Sequence, residues 1–218
     1  MRYAALLTVL ITSLAIVTSC DEPPELPLEP TISFNDIQFK KGENGRDSLI
    51  LTLNFEDGDG DLGLNDDFDE PPFNEYDLVL DDNGDVIHFG APNQPPYNIN
   101  DWLLRDLDGD NVTDDTVRIQ FNENYHNIFI DFFFKNTQGE YVEIDLKSRV
   151  GFNFNGRFPI LNTSDNERPL RGTLTYKMVA AFSIDPLFRT NTLKLDVEIQ
   201  DRGLNRSNKI DTPDFTLQ

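Results

Sequence analysis

Ser48-Leu-Ile-Leu-Thr-Leu-Asn-Phe55 sets Leu49, Leu51, Leu53 and Phe55 on one side of an extended chain, with Thr52 and Asn54 on the other. A period of two is the mark of a half-buried β-strand. The strand runs straight into Glu56-Asp-Gly-Asp-Gly-Asp-Leu-Gly63, where carboxylates and glycines replace the alternation. Working outward, the same period recurs upstream in Ile32-Ser-Phe-Asn-Asp-Ile-Gln-Phe39. Downstream, residues 76–80 and 86–89 flank Asp82-Asn83-Gly84-Asp85, and Asn-Gly is a strong hairpin signal. Further strands are expected over 116–121, 128–135, 141–146, 173–182, 193–200 and 214–217. Ile128-Phe-Ile-Asp-Phe-Phe-Phe134 is apolar on both faces, which suits a central strand. Helical periodicity is nearly absent, and only Asn100-Asp-Trp-Leu-Leu-Arg-Asp106 is expected to make a turn or two of helix, capped by Asn98 or Asn100. About ten strands over ~185 residues make an all-β chain with one antiparallel β-sandwich. Long acidic insertions fall at 56–75, 90–115 and 156–171.

The chain opens Met1-Arg2-Tyr3, runs apolar from Ala4 to Val17, and reaches Val17-Thr18-Ser19-Cys20, which holds its single cysteine. A basic start and a short apolar core read as a secretory signal over residues 1–19, too short for a comfortable membrane span. The junction resembles a bacterial lipobox, in which Cys20 is diacylated and becomes the first residue. The alternative is an ordinary cleaved signal with an incidental cysteine. A lipidated Cys20 leaves no thiol for disulfides, cysteine nucleophiles or zinc ribbons. Residues 20–30, Cys20 with Asp21-Glu-Pro-Pro-Glu-Leu-Pro-Leu-Glu-Pro30, read as an extended tether. Acidic residues directly after the cysteine resemble the surface-export signal of bacteroidete lipoproteins. That resemblance implies a surface-exposed outer-membrane location, with the membrane as a partner through the lipid. One folded domain, 31–218, follows.

The formal net charge is −21, from 39 acidic and 18 basic residues. Such acidity disfavours nucleic acid as a partner. No Lys or Arg lies between Arg46 and Arg105, where acids are dense, so this region invites either a cation or a solvated acidic face.

In the first loop, Asp57, Asp59 and Asp61 fall at positions one, three and five of a calcium-type ladder, with the Gly63 carbonyl at seven. No flanking helices are expected and no glycine occupies position six, so this is not an EF-hand. A loop between strands must borrow ligands, and Asp201 and Asn205 near the end of the chain are the candidates. Carboxylates ~4 Å apart repel by about 4 kcal/mol at an effective dielectric near 20, so three converging without a cation would splay apart. A second candidate is Asp106-Leu-Asp-Gly-Asp-Asn-Val-Thr-Asp-Asp115, with Asp106, Asp108 and Asp110, the Val112 carbonyl and Asp114 in ligand positions. It resembles the calcium loops of dockerins and thrombospondin-type repeats. Ca2+ is therefore the expected cofactor. Asp81-Asp-Asn-Gly-Asp85 shares the letters but reads more simply as a hairpin turn.

No serine elbow, phosphate loop or His-Glu-x-x-His occurs, and no enzyme is expected. Trp102, Tyr97, Phe152, Phe154 and Phe158 could form an aromatic platform for a sugar, or pack the core. Ser48 and Thr116 match the short O-glycosylation pattern of bacteroidete secreted proteins.

Val197-Glu-Ile-Gln-Asp-Arg-Gly-Leu-Asn-Arg-Ser-Asn208 with Thr212-Pro-Asp-Phe-Thr-Leu217 resembles the last hairpin of bacterial immunoglobulin-like or fibronectin III-like domains. With the lipobox and the Asp-Gly-Asp-Leu-Gly loop, the chain is similar to bacteroidete surface lipoproteins. The resemblance implies an immunoglobulin-like antiparallel β-sandwich on the cell envelope. The resemblance implies no established activity; the expected role is a non-catalytic binding or structural accessory with an envelope protein or glycan partner. The other reading is a glycan-binding or carbohydrate-active component of an outer-membrane uptake system.

Overall fold

The computed structural model describes residues 26–92, 98–162, 168–180 and 186–217. The proposed signal, Cys20 and Tyr97 lie outside them. Ten strands are present among the described residues: β1 (Thr31–Lys40), β2 (Asp47–Asp57), β3 (Tyr76–Leu78), β4 (Trp102–Arg105), β5 (Asp115–Phe121), β6 (Ile128–Lys135), β7 (Tyr141–Glu143), β8 (Leu170–Ala180), β9 (Leu193–Ile199) and β10 (Ile210–Asp211). Two short helices, α1 (Leu146–Val150) and α2 (Pro186–Thr190), complete it with three single 3-10 turns. The chain is all-β, with antiparallel sheets in the orders β1-β2-β8, β10-β9-β6-β7 and β3-β5-β4.

β2 lies between β1 and β8, and all eleven of its residues pair with β8. Leu49, Leu51 and Leu53 are wholly buried. They share one core with Ile128, Ile130 and Phe132 of β6 and Leu193, Leu195, Val197 and Ile199 of β9. Burying a side chain of this size contributes roughly 1.5–3 kcal/mol, so these rows hold the first two sheets together. The outward aromatics of β6 are covered differently. The Arg206 guanidinium lies 3.6 Å from the Phe129 ring centroid, and Lys194 lies 5.3 Å from that of Phe133.

The closing segment substitutes side-chain oxygens for strand carbonyls. Ile199 N–H donates to Ser207 Oγ (3.0 Å) and Leu195 N–H donates to Thr212 Oγ1 (3.0 Å). The Asn208 amide imitates a strand across to β1: Ile32 N–H donates to Oδ1 at 2.8 Å and Nδ2 donates to the Ile32 carbonyl at 2.9 Å. Asn208→Ala removes both bonds and should cost about 1 kcal/mol. That is a melting temperature lower by a few degrees; a shift under one degree by differential scanning fluorimetry would refute the clamp.

Residues 58–127 form the excursion that carries the third sheet. Its small core centres on buried Val117 and on Trp102, whose ring meets Phe89 edge-on at 5.2 Å. Asp81-Asp-Asn-Gly-Asp85 is the expected turn: Asn83 and Asp85 N–H both donate to Asp81 Oδ1, and Leu80 bridges Val86. Several strand expectations shrink. Residues 86–89 and 214–217 contribute isolated bridges, and Leu146 starts α1 rather than ending β7. The expected helix at 100–106 is one 3-10 turn, Ile99–Asp101, capped by Asn98. It then becomes β4, because Trp102–Arg105 finds hydrogen-bonding partners along β5.

Candidate metal centre

The first acidic loop leaves the end of β2, and packing fixes its shape. Leu62 is wholly buried in the common core and Leu64 is nearly so. Leu64 N–H donates to the Phe158 carbonyl (2.9 Å) and Leu161 N–H to the Leu62 carbonyl (3.1 Å). Between them Gly63 has φ +107°, and a Cβ there would lie 2.3 Å from the Pro159 carbonyl oxygen, so no larger residue fits. With the leucines pinned inward, the aspartates of Asp57-Gly-Asp-Gly-Asp61 have one direction left, toward each other.

Asp201, directly after β9, completes the group. One carboxylate oxygen from each of Asp57, Asp59, Asp61 and Asp201 lies within 4.8 Å of all the others. Ligands of one calcium ion at ~2.4 Å per bond lie no more than about 4.8 Å apart, so this spread is compatible with a shared ion. Asp57 is wholly buried and Asp201 is 3% exposed. The Oδ1 atoms of Asp57, Asp59 and Asp61 are buried without a hydrogen-bond partner. Buried polar atoms are nearly always satisfied, so three orphaned oxygens on carboxylates that converge call for an ion.

The electrostatics agree. Burial, then Asp59 beside it, pushes Asp57 up to about 7. Burial, then Asp201 and Asp59, pushes Asp61 up to about 6 against the pull of Arg202. Burial also raises Asp201. Among the described residues none of these four carboxylates forms an ion pair with a lysine or arginine. An all-oxygen group without nitrogen or sulfur suits a hard cation.

The other expected ligands of this loop take supporting positions. The Gly63 carbonyl accepts from Arg202 Nη1 at 3.2 Å. Asn205 orients Asp201, with its N–H on Oδ1 (2.7 Å) and Nδ2 on Oδ2 (2.8 Å). Fixing a ligand carboxylate from outside is a common second layer of metal sites.

The second acidic loop shares the spacing and little else. Asp106, Asp108 and Asp114 also converge, but all three are exposed. Backbone donors engage both oxygens of Asp106, from Gly109 and Asn111 N–H, and one oxygen each of Asp108, from Asp110 N–H, and Asp114, from Leu107 N–H. Asp110 stands outside the group and accepts from Val112 N–H, and Val112 itself is exposed. These backbone donors hold Asp106 below the usual carboxylate range. Loop 106–114 is an exposed, hydrogen-bonded turn in which Asp106, Asp108 and Asp114 nonetheless converge.

The aromatic platform is dispersed. Trp102, Phe154 and Phe158 are buried, and of the described members Phe152 alone is exposed. Ser48 is 7% exposed within β2, which leaves a glycan no room, and Thr116 lies paired in β5. Comparison with protein-family models, with curated proteins and with solved structures finds no match for this chain.

Proposed function

We propose that the protein is a lipid-anchored, non-catalytic envelope module: an immunoglobulin-like β-sandwich whose loop end is stabilised by one calcium ion at Asp57, Asp59, Asp61 and Asp201. The observation that carries the metal is that three of the four converging carboxylates each keep a buried, unpartnered oxygen. Strand order supports the sandwich. With β3–β5 set aside, the remaining strands taken in chain order as A, B, C, C′, E, F and G give A-B-E and G-F-C-C′. Immunoglobulin-like sandwiches distribute their strands in this way. The metal loop then follows strand B and Asp201 follows strand F. The anchor rests on the lipobox-like Val17-Thr18-Ser19-Cys20, and the outward-facing outer-membrane location on the acids after it. A structural or protein-binding accessory is favoured over a glycan binder because Trp102, Phe154 and Phe158 are packed away.

The test is thermal unfolding in millimolar calcium and in chelator. With a Kd near 10 μM, occupancy adds roughly 2.7 kcal/mol, a rise of about 5–10 °C for a domain of this size. Asp57→Asn should abolish the calcium response and raise the melting temperature in chelator, since it removes a buried, repelled charge. Asp108→Asn should leave both values within a degree. A wild-type protein indifferent to calcium would overturn the metal reading.

A further inference from the structure

We infer that the cation at Asp57, Asp59, Asp61 and Asp201 also locks residues 26–30 of the N-terminal tether onto the domain, so that metal occupancy decides whether they stay docked. The inference rests on the metal reading above. The metal there is carried by Asp57, a wholly buried member of the converging group that keeps Oδ1 unpartnered while its Oδ2 accepts from Leu62 N–H.

The segment expected to hang free, residues 20–30, is docked in its described part, 26–30. Gly58, between the first two ligand aspartates, donates its N–H to the Pro27 carbonyl at 2.8 Å. A Cβ on Gly58 would lie 2.4 Å from the Leu26 carbonyl oxygen and 2.5 Å from that of Pro27. Pro30 is buried. The tether thus lies on the outer side of the same turn whose inner side collects the carboxylates. The turn can present Gly58 to Pro27 only while Asp57 and Asp59 are drawn inward together. Without a cation their repulsion opens this turn, and the tether loses its acceptor surface. The lower part of the loop stays fixed by Leu62 in the core. Asp57 stays paired with Leu170 of β8, so opening is confined to residues 58–61, where the tether sits.

Gly58 also supplies a variant that separates the two functions. Its φ lies outside the left-handed region, so alanine is tolerated by the backbone, and no carboxylate is lost. The added methyl collides with two tether carbonyls. A terminal segment moves aside more easily than a loop anchored in the core.

The experiment uses the full chain with calcium or with chelator, and reads chymotryptic cleavage after Leu28, whose side chain is exposed but whose backbone must detach to enter a protease. Terbium or calcium binding is measured on the same samples. Calcium should slow the Leu28 cut at least tenfold in the wild type. Gly58→Ala should bind the metal within about threefold of wild type and be cut rapidly whether or not calcium is present. Metal binding with an unchanged cleavage rate in the wild type would overturn the lock and leave the metal site standing. A protected tether in Gly58→Ala with calcium would overturn the proposed contact. Absence of metal binding would overturn both readings.

Discussion

Calcium affinity should climb by roughly three orders of magnitude between pH 5 and pH 8, with protons released on binding. The reason is that the metal-free site holds protons it should not. Asp57 is raised to about 7 and Asp61 to about 6, each from an ordinary value near 3.8. Calcium needs both as carboxylates, so at pH 5 it displaces close to two protons, and at pH 8 almost none. The same shifts act on the metal-free fold. Both folded-state values lie above the unfolded one, so protonation stabilises the fold at low pH, and this contribution is lost as pH rises through 6 and 7. For Asp57 alone the loss approaches roughly 4 kcal/mol at 1.36 kcal/mol per pH unit.

His126 works in the opposite sense. Burial, with Arg157 nearby, lowers it to about 4, so charging it costs stability as pH falls below about 6.5. This offsets part of the aspartate slope in acid but cancels when calcium and chelator are compared at one pH. Carboxylates held low by partners, such as Asp115 beside His88 and Asp145 at the cap of α1, lose their contribution below about pH 4, outside the window. Isothermal titration from pH 5 to 8 in two buffers of different ionisation heat checks both the affinity and the proton count. A pH-independent affinity would mean that the four carboxylates do not share a site.

Much of this centre was legible in the letters, and the limits have physical causes. Asp57, Asp59 and Asp61 follow from alternation with glycine, and Asp201 from the need for a ligand outside a strand-to-strand loop. What separates the two acidic loops, however, is burial. Loops 57–63 and 106–114 carry nearly the same letters, yet Leu62 is sunk in the core while Leu107 and Val112 are 62% and 60% exposed. The apolar residue inside the acidic motif separates the buried site from the solvated turn, and its fate depends on Phe158 and Leu161, about a hundred residues downstream. The strands of the common core were readable because each must bury one face. β4 was not, since Trp102-Leu-Leu-Arg105 has no alternation and is extended only because β5 lies beside it. Two-residue β10 is defined by Val197 and Asp196 of β9 rather than by any pattern of its own.

Arg157→Ala should lower the melting temperature by about 8–15 °C, corresponding to roughly 3–5 kcal/mol, among the largest losses available to a single side chain here. Arg157 is half-buried, and its guanidinium spends its donors on backbone carbonyls: Nε on Tyr125 (2.6 Å), Nη1 on Asn65 and Phe68 (both 2.9 Å), and Nη2 on Phe73 (2.6 Å). Its plane also stacks 4.0 Å from the Tyr125 ring centroid. Three of those carbonyls belong to the irregular stretch that carries the chain from the metal loop toward β3, a stretch with no sheet to satisfy it. Removing the fork strands several acceptors at once, each costing about 1–3 kcal/mol when buried. Charge alone cannot replace it. An ammonium is a compact point donor that cannot span four diverging oxygens, so Arg157→Lys should recover less than half of the loss. Full recovery by lysine would mean that the positive charge, through Asp66, Asp67 and their neighbours, matters rather than the geometry. An alanine variant within two degrees of wild type would mean that residues 65–73 hold themselves in place. Calcium titration of both variants locates the damage: since Leu62 and Leu64 stay anchored by residues 158–161, affinity should change by less than about tenfold while stability collapses.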